Sequence, residues 1–340
     1  MEATSVDALP EDAGWQYEPK WDGFRCVAFR DGDRVELQSK AGKPLTRYFP
    51  EVVEAMRGIG ARRCVLDGEL VVPVGGRLSF DDLLQRIHPA VSRVTRLARE
   101  RPALFVVFDL LVDDGGESLV GRTLAERRAA LDGFARRFLT DAPGLRLSPA
   151  TTSLARARRW FAATGKALDG VIAKRLDADY RSGLRDGMVK LKPVRTVDCV
   201  VGGFRYGTGS ELDGSLLLGL YDDAGLLHHV GFTANLPREE RPELTARLEA
   251  LRHGTGFTGR APGGPSRWST ERSGEWVPLA PELVVEVAYD QVAQERFRHG
   301  TRLLRWRPDK APEQCRLDQI VAGGHSLAAL LRQRTRRVVS

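Results

Sequence analysis

Cysteine is scarce in this chain: there are four, Cys26, Cys64, Cys199 and Cys315, and no two form a close pair. Such spacing argues against a disulfide framework and against a zinc cluster, and leaves four thiols expected to be reduced and mostly buried. Long apolar runs are missing as well. No stretch approaches the roughly 20 residues that cross a bilayer, so no membrane partner is expected. The segment from Met1 to Gly14 is acidic, with neither a basic start nor an apolar centre. That excludes a secretory signal and points to the cytoplasm. No internal repeat is found.

What remains is a chain of 340 residues, 42% hydrophobic and 29% charged, with a net charge of +7. The length suits about two domains, and the positive balance favours a polyanionic partner. Part of that balance lies in the run Arg332-Gln333-Arg334-Thr335-Arg336-Arg337, which taken alone is a solvated terminus.

Residues 24–29 and 35–38 read as a hairpin across Asp31-Gly32-Asp33. Residues 49–59 read as a helix, 64–72 as a strand, and 79–87 as a short helix capped by Ser79. A strand over 104–112 is apolar enough to be buried on both faces. Helices over 123–139 and 154–164 and strands over 170–174 and 188–192 complete this part, which ends at Pro193. Beyond it the texture changes to short strands broken by glycine, at 199–204, 216–221, 227–232, 283–289 and 303–306, with one helix over 238–251. Five strands with a helix between the third and fourth suit a small oligonucleotide-binding barrel. The glycine and proline run over 254–265 reads as a mobile loop. The expected domains are residues 1–195, residues 196–315 and a basic tail over 316–340.

One segment dominates the chemistry. Tyr17-Glu18-Pro19-Lys20-Trp21-Asp22-Gly23-Phe24-Arg25 sets a lysine in a tight turn between extended runs, beside an acid and an arginine. A free lysine titrates near 10.4 and attacks nothing while protonated, so a nucleophilic lysine needs cations or a metal nearby. The chain supplies candidates. Asp67-Gly68-Glu69 places two acids and a glycine inside a strand, which suits a kink with an acid facing a ligand. Asp169-Gly170-Val171-Ile172-Ala173-Lys174 repeats that form, and in Met188-Val189-Lys190-Leu191-Lys192 alternation puts both lysines on one face. Phe108-Asp109 adds a ring and a charge to a buried strand. A lysine nucleophile, two acids able to hold Mg2+, phosphate-binding cations and a ring for a base together describe nucleotidyl transfer.

In these segments the chain resembles the covalent nucleotidyltransferases, and within them the ATP-dependent DNA ligases. Lys20-Trp21-Asp22-Gly23-Phe24-Arg25 is similar to the family's nucleotidylated lysine motif, and Ser39-Lys40-Ala41-Gly42 to its second, with lysine where many members have arginine. Asp67-Gly68-Glu69, Phe105 to Asp109, Asp169 to Lys174 and Met188 to Lys192 resemble the next motifs, the fourth with aspartate for the usual glutamate and the fifth without its common tryptophan. Arg305-Trp306-Arg307-Pro308-Asp309-Lys310 resembles the last. Residues 276–291, 297–301 and 304–310 look most like the short stand-alone C-type ligases of actinobacteria, although the Pro-Met-Leu-Ala segment of relatives is absent upstream.

The resemblance implies an α+β fold: an ATP-grasp-like nucleotidyltransferase domain of antiparallel sheets with flanking helices, then a small all-β OB-fold barrel. It implies Lys20 as the adenylylated residue. It also implies a nucleotide site of Glu18, Arg25, Lys40, Glu69, Phe108, Lys174, Arg185, Lys190 and Lys192, joined by Arg305, Arg307 and Lys310 from the barrel. Glu69 and Asp169 would hold Mg2+, with Mn2+ as its alternative. ATP would be the co-substrate and nicked duplex DNA the partner, in repair, alongside a repair polymerase or an end-binding protein. The expected enzyme is a minimal one, a monomer working at the bacterial nucleoid, with no N-terminal DNA-binding domain and a hinge over residues 193–197. An RNA ligase, a capping guanylyltransferase and a non-catalytic nucleic-acid-binding protein are the competing readings.

Overall fold

The computed structural model describes residues 1–162, 168–207, 213–234, 236, 241–263 and 275–320. The end of the helix expected over 154–164, the start of that over 238–251, the last residues of the 254–265 loop and most of the basic tail lie outside these residues. The described residues fall into two compact units, one from Met1 to Pro193 and one from Val194 to Ile320.

The first unit is built on two sheets. Its early strands are β1 (Thr4–Ser5), β2 (Trp15–Lys20), β3 (Phe24–Asp31) and β4 (Arg34–Ser39). The β3–β4 hairpin closes through Gly32, whose φ of 61° suits a glycine at the first turn position. Helix α1 (Pro50–Gly58) opens with proline in its first turn and buries Val52, Val53, Ala55 and Met56. Strand β5 (Arg63–Val71) leads to a small hairpin of β6 (Pro73–Val74) and β7 (Arg77–Leu78), then α2 (Phe80–Gln85), α3 (Val91–Glu100) and β8 (Leu104–Val112). Helix α4 (Leu124–Phe138) begins with a reciprocal capping box between Thr123 and Glu126 and buries Leu124, Leu131 and Phe134. Strand β9 (Leu145–Leu147), helix α5 (Leu154–Ala162) and strands β10 (Gly170–Arg175) and β11 (Met188–Leu191) complete the unit.

One sheet runs β4-β3-β5-β8-β9 and the other β1-β11-β10-β2, antiparallel except for the β8–β9 and β1–β11 pairs. The larger core lies on the first sheet around Phe49, Leu66, Phe105 and Leu131, while a second cluster around Tyr17, Trp21, Val106, Trp160 and Val171 draws on both sheets. Strand β5 slips register against β8 between Asp67 and Gly68, the kink its sequence suggests.

In the second unit, β12 (Arg195–Tyr206), β13 (Asp213–Tyr221) and β14 (Leu227–Thr233) are followed by α6 (Arg241–Glu249), β15 (Val277–Pro278), β16 (Val284–Tyr289), the hairpin β17 (Val292–Ala293) and β18 (Arg296–Phe297), and β19 (Arg302–Trp306). The sheet order is β14-β13-β12-β16-β19. A parallel bridge between Thr233, at the end of β14, and Thr301, just before β19, then closes the sheet on itself. That closed sheet, antiparallel except at the closing bridge, with α6 between its third and fourth long strands, is an OB-fold barrel filled by Val200, Phe204, Leu218, Val230 and Val285. Among the described residues no helix is long and apolar enough to cross a membrane, and all four cysteines are free and buried.

Candidate active site

Lys20 ends β2, and the turn beyond it fixes its position. Trp21 is buried, with its indole N–H donating to Ser148 Oγ at 3.0 Å. A Cβ on Gly23 would stand 2.1 Å from the carbonyl oxygen of Leu70, so only glycine lets the turn pass that close to β5. On the other side, Gly170 of β10 pairs with Lys20 and Ile172 with Glu18. The same register brings Asp169 under the lysine: Lys20 Nζ donates to Asp169 Oδ2, and Lys192 Nζ lies 3.1 Å from that oxygen. Burial opposes the charge on Asp169, but these two ammoniums outweigh it and hold its carboxyl below the ordinary range. Lys190 is pushed down by partial burial and by the nearby Lys192 and Lys20.

Beside this cluster lies a cavity of about 230 Å³, lined among others by Glu18, Lys20, Arg25, Glu69, Phe108 and Lys174. The Lys174 ammonium sits 4.4 Å from the centre of the Phe108 ring and 2.8 Å from Glu18 Oε2. Both members of that ion pair are buried. Arg25 lies 5.8 Å from the same ring and binds Asp67 through Nε at 3.2 Å and Nη2 at 2.7 Å. Glu69 is strongly changed by its setting. Burial pushes it up to about 8 in spite of Lys20 and Arg25.

Of the expected site residues, Glu18, Lys20, Arg25, Lys40, Glu69, Phe108, Lys174 and Lys190 therefore share one cavity wall. Asp169 joins through its contact with Lys20, and Lys192 through Asp169. Arg185 is exposed and pairs with Glu2 at 3.1 Å, a carboxylate that Lys40 also binds at 2.9 Å. Residues 1–3 also form part of the cavity wall. Arg305, Arg307 and Lys310 belong to the other unit, where Arg305 pairs with Glu286 at 2.7 Å and Lys310 with Asp198 at 2.7 Å. Arg307 binds both Asp198 and Asp309.

Three pocket groups are missing from the expected site residues. Asp67, Asp109 and Tyr180 all line the cavity. Asp67 and Asp109 are visible in the sequence as neighbours of Glu69 and Phe108, and Tyr180 sits in a polar loop without periodicity. No group of three or more metal-ligating side chains gathers among the described residues. Glu69 and Asp169 nonetheless flank Lys20, and Mg2+ is commonly bound through one or two carboxylates plus substrate phosphates, so the donor set fits a metal that arrives with a nucleotide.

An amine on a strand end, acids beside it and cations around an aromatic-floored cavity define a nucleotidyltransferase. Similarity to known proteins narrows the class. A family model described as ATP dependent DNA ligase domain matches residues 3–192, and one described as ATP dependent DNA ligase C terminal region matches residues 209–310. DNA ligase C2 of Mycolicibacterium smegmatis is 45% identical, covering 96% of this chain and 95% of its own length. DNA ligase C of Mycobacterium tuberculosis is also 45% identical, covering 94% of this chain and 92% of its own. A solved Lig E DNA ligase shares the fold at a TM-score of 0.54 and 16% identity, covering 90% of this chain and 100% of that one. The chain belongs to the ATP-dependent DNA ligases, enzymes that form a covalent AMP intermediate from ATP with a divalent metal and act on nicked DNA.

Proposed function

We propose that Lys20 is the residue that carries AMP, and that the cavity beside it receives ATP with the base against Phe108. The observation that supports this best is the shared carboxylate of Asp169, which holds Lys20 at the cavity with Lys192 on the same oxygen. In the first step the Nζ–P bond forms at the α-phosphate and the P–O bond to pyrophosphate breaks. Lysine must shed a proton for this, and that proton leaves to solvent. Lys190, Lys192 and Lys174 supply fixed positive charge where the transferring phosphoryl group becomes more anionic. A divalent metal held by Glu69 and Asp169 would neutralise phosphate charge.

AMP then passes to the 5′-phosphate of a nick, and the 3′-hydroxyl displaces it to seal the strand. Arg305, Arg307 and Lys310 act in the first step, on the departing pyrophosphate. The setting is DNA repair, with a repair polymerase or an end-binding protein as companion, on the strength of the likeness to C-type ligases alone. Pull-down with each candidate partner tests that narrower assignment.

The central test uses ATP or GTP labelled at the α-phosphate, followed by nicked DNA or nicked RNA. The wild-type chain should retain label from ATP and seal DNA, and Lys20→Ala should do neither. Sealing that survives Lys20→Ala would overturn the assignment.

A further inference from the structure

Asp67 has no access to solvent, yet it faces the nucleotide cavity from the kinked part of β5. A carboxylate taken out of water needs donors to replace it, and Asp67 has three. Arg25 provides two. The third is the hydroxyl of Tyr180, which donates to Asp67 Oδ2 at 2.8 Å. Arg25 Nη2 in turn donates to that hydroxyl oxygen at 3.3 Å, and Arg25 Nη1 donates to the carbonyl of Met1 in the cavity wall. Asp67, Tyr180 and the Met1 carbonyl thus hold the guanidinium between them, which fixes its orientation in the cavity wall.

Tyr180 comes from the loop between β10 and β11, strands of the smaller sheet, while Asp67 and Arg25 belong to the larger one. Its hydrogen bond therefore ties the two sheets together across the cavity. The tyrosine is held on both sides. Its backbone N–H donates to the Val120 carbonyl at 3.0 Å, and the Arg127 guanidinium lies 5.6 Å from its ring centre. Arg127 is fully buried and chelates Asp109 at 2.9 and 3.1 Å, next in sequence to Phe108. Ring and hydroxyl thus face different partners, so the hydroxyl can be removed while the packing stays.

We infer that Tyr180 is a positioning residue for nucleotide capture: its hydroxyl clasps Asp67 so that Arg25 stands ready over Phe108 and the cavity keeps its width. The inference rests on reading the cavity as the ATP site. Tyr180→Phe in the full chain keeps the ring on Arg127 and deletes only the clasp. The KM for ATP in lysyl-AMP formation should rise about tenfold, the loss expected for one hydrogen bond to a charged group, with kcat at saturating ATP within about twofold. Asp67→Asn should move KM in the same direction.

Two readouts separate this from a merely structural role. If Tyr180→Phe lowers the unfolding midpoint and leaves KM unchanged, or lowers kcat alone, the inference fails. The side-chain Nε–H resonance of Arg25, followed by NMR without nucleotide, should exchange faster in Tyr180→Phe. An unchanged Arg25 resonance overturns the clasp whatever the nucleotide does, whereas a wild-type chain that takes no AMP from ATP overturns the assignment of the cavity instead.

Discussion

Glu69 shows how much one side chain's charge depends on its setting. An ordinary glutamate titrates at 4.5, and burial raises this one to about 8. The folded state therefore holds a proton that the unfolded chain releases, and ionised Glu69 is a cost of folding that grows as pH rises from about 4.5 to about 8 and then levels off. Glu69→Gln should match the wild type near pH 4.5 and become progressively the more stable protein up to pH 8. Thermal unfolding midpoints across that range, without ATP or metal, check this; a constant difference would mean that Glu69 is ionised throughout. Lysyl-AMP formation should fall in the same variant, because the neutral amide is a poor metal ligand. Glu69 and Lys20 are legible in the sequence because an acid inside a strand and a lysine in a turn are chemically out of place. Tyr180 is not, since a tyrosine in a polar loop has no anomaly until Asp67 is seen beneath its hydroxyl.

At the scale of elements, the site depends on how closely β2, β10 and β11 approach. Gly170 has φ 141°, and a Cβ there would meet the Leu191 carbonyl oxygen at 2.1 Å. Gly170→Ala should therefore push β11 away, part Lys192 from Asp169 and cost roughly 1–3 kcal/mol of stability. Lysyl-AMP formation should fall at least about tenfold, as reacting groups held out of position lose up to about a hundredfold per ångström. An alanine variant with normal labelling and an unchanged unfolding midpoint would show that the strands yield without consequence. Strands and helices with clean period are legible: β8 as a nearly continuous apolar run, α4 from its leucine and phenylalanine spacing. The hairpin of β17 and β18 is not. Its turn puts Gln294 at φ 49° and Glu295 at φ 58°, a conformation usually signalled by asparagine or glycine, and neither is present. Helix α3 is also hidden, because Val91 at its start is exposed and only Val94, Leu97 and Ala98 are buried, a stripe too short to establish a period.

For the whole molecule, the cations implied in one reaction are divided between two units, and their present partners differ in strength. The barrel class can be read from five strands and one helix; its closure cannot, because it depends on a single bridge between Thr233 and Thr301 rather than a long strand pair. Arg307 is half-buried and held by both Asp198 and Asp309, so the barrel binds it more firmly than it binds Arg305. Arg305 is different: its side chain is 64% exposed, and its pair with Glu286 is the kind worth about 1 kcal/mol or less. A weakly held cation can exchange its carboxylate for a phosphate, so Arg305 is the better candidate for pyrophosphate. Arg305→Ala should leave the unfolding midpoint within a degree or two and slow lysyl-AMP formation by roughly a hundredfold, the loss typical of one donor aimed at transition-state charge. Sealing of a nick that already carries AMP on its 5′-phosphate involves no pyrophosphate and should proceed at close to the wild-type rate. Single-turnover measurement of the two steps separates these cases. Equal slowing of both would place Arg305 on the DNA rather than on the nucleotide.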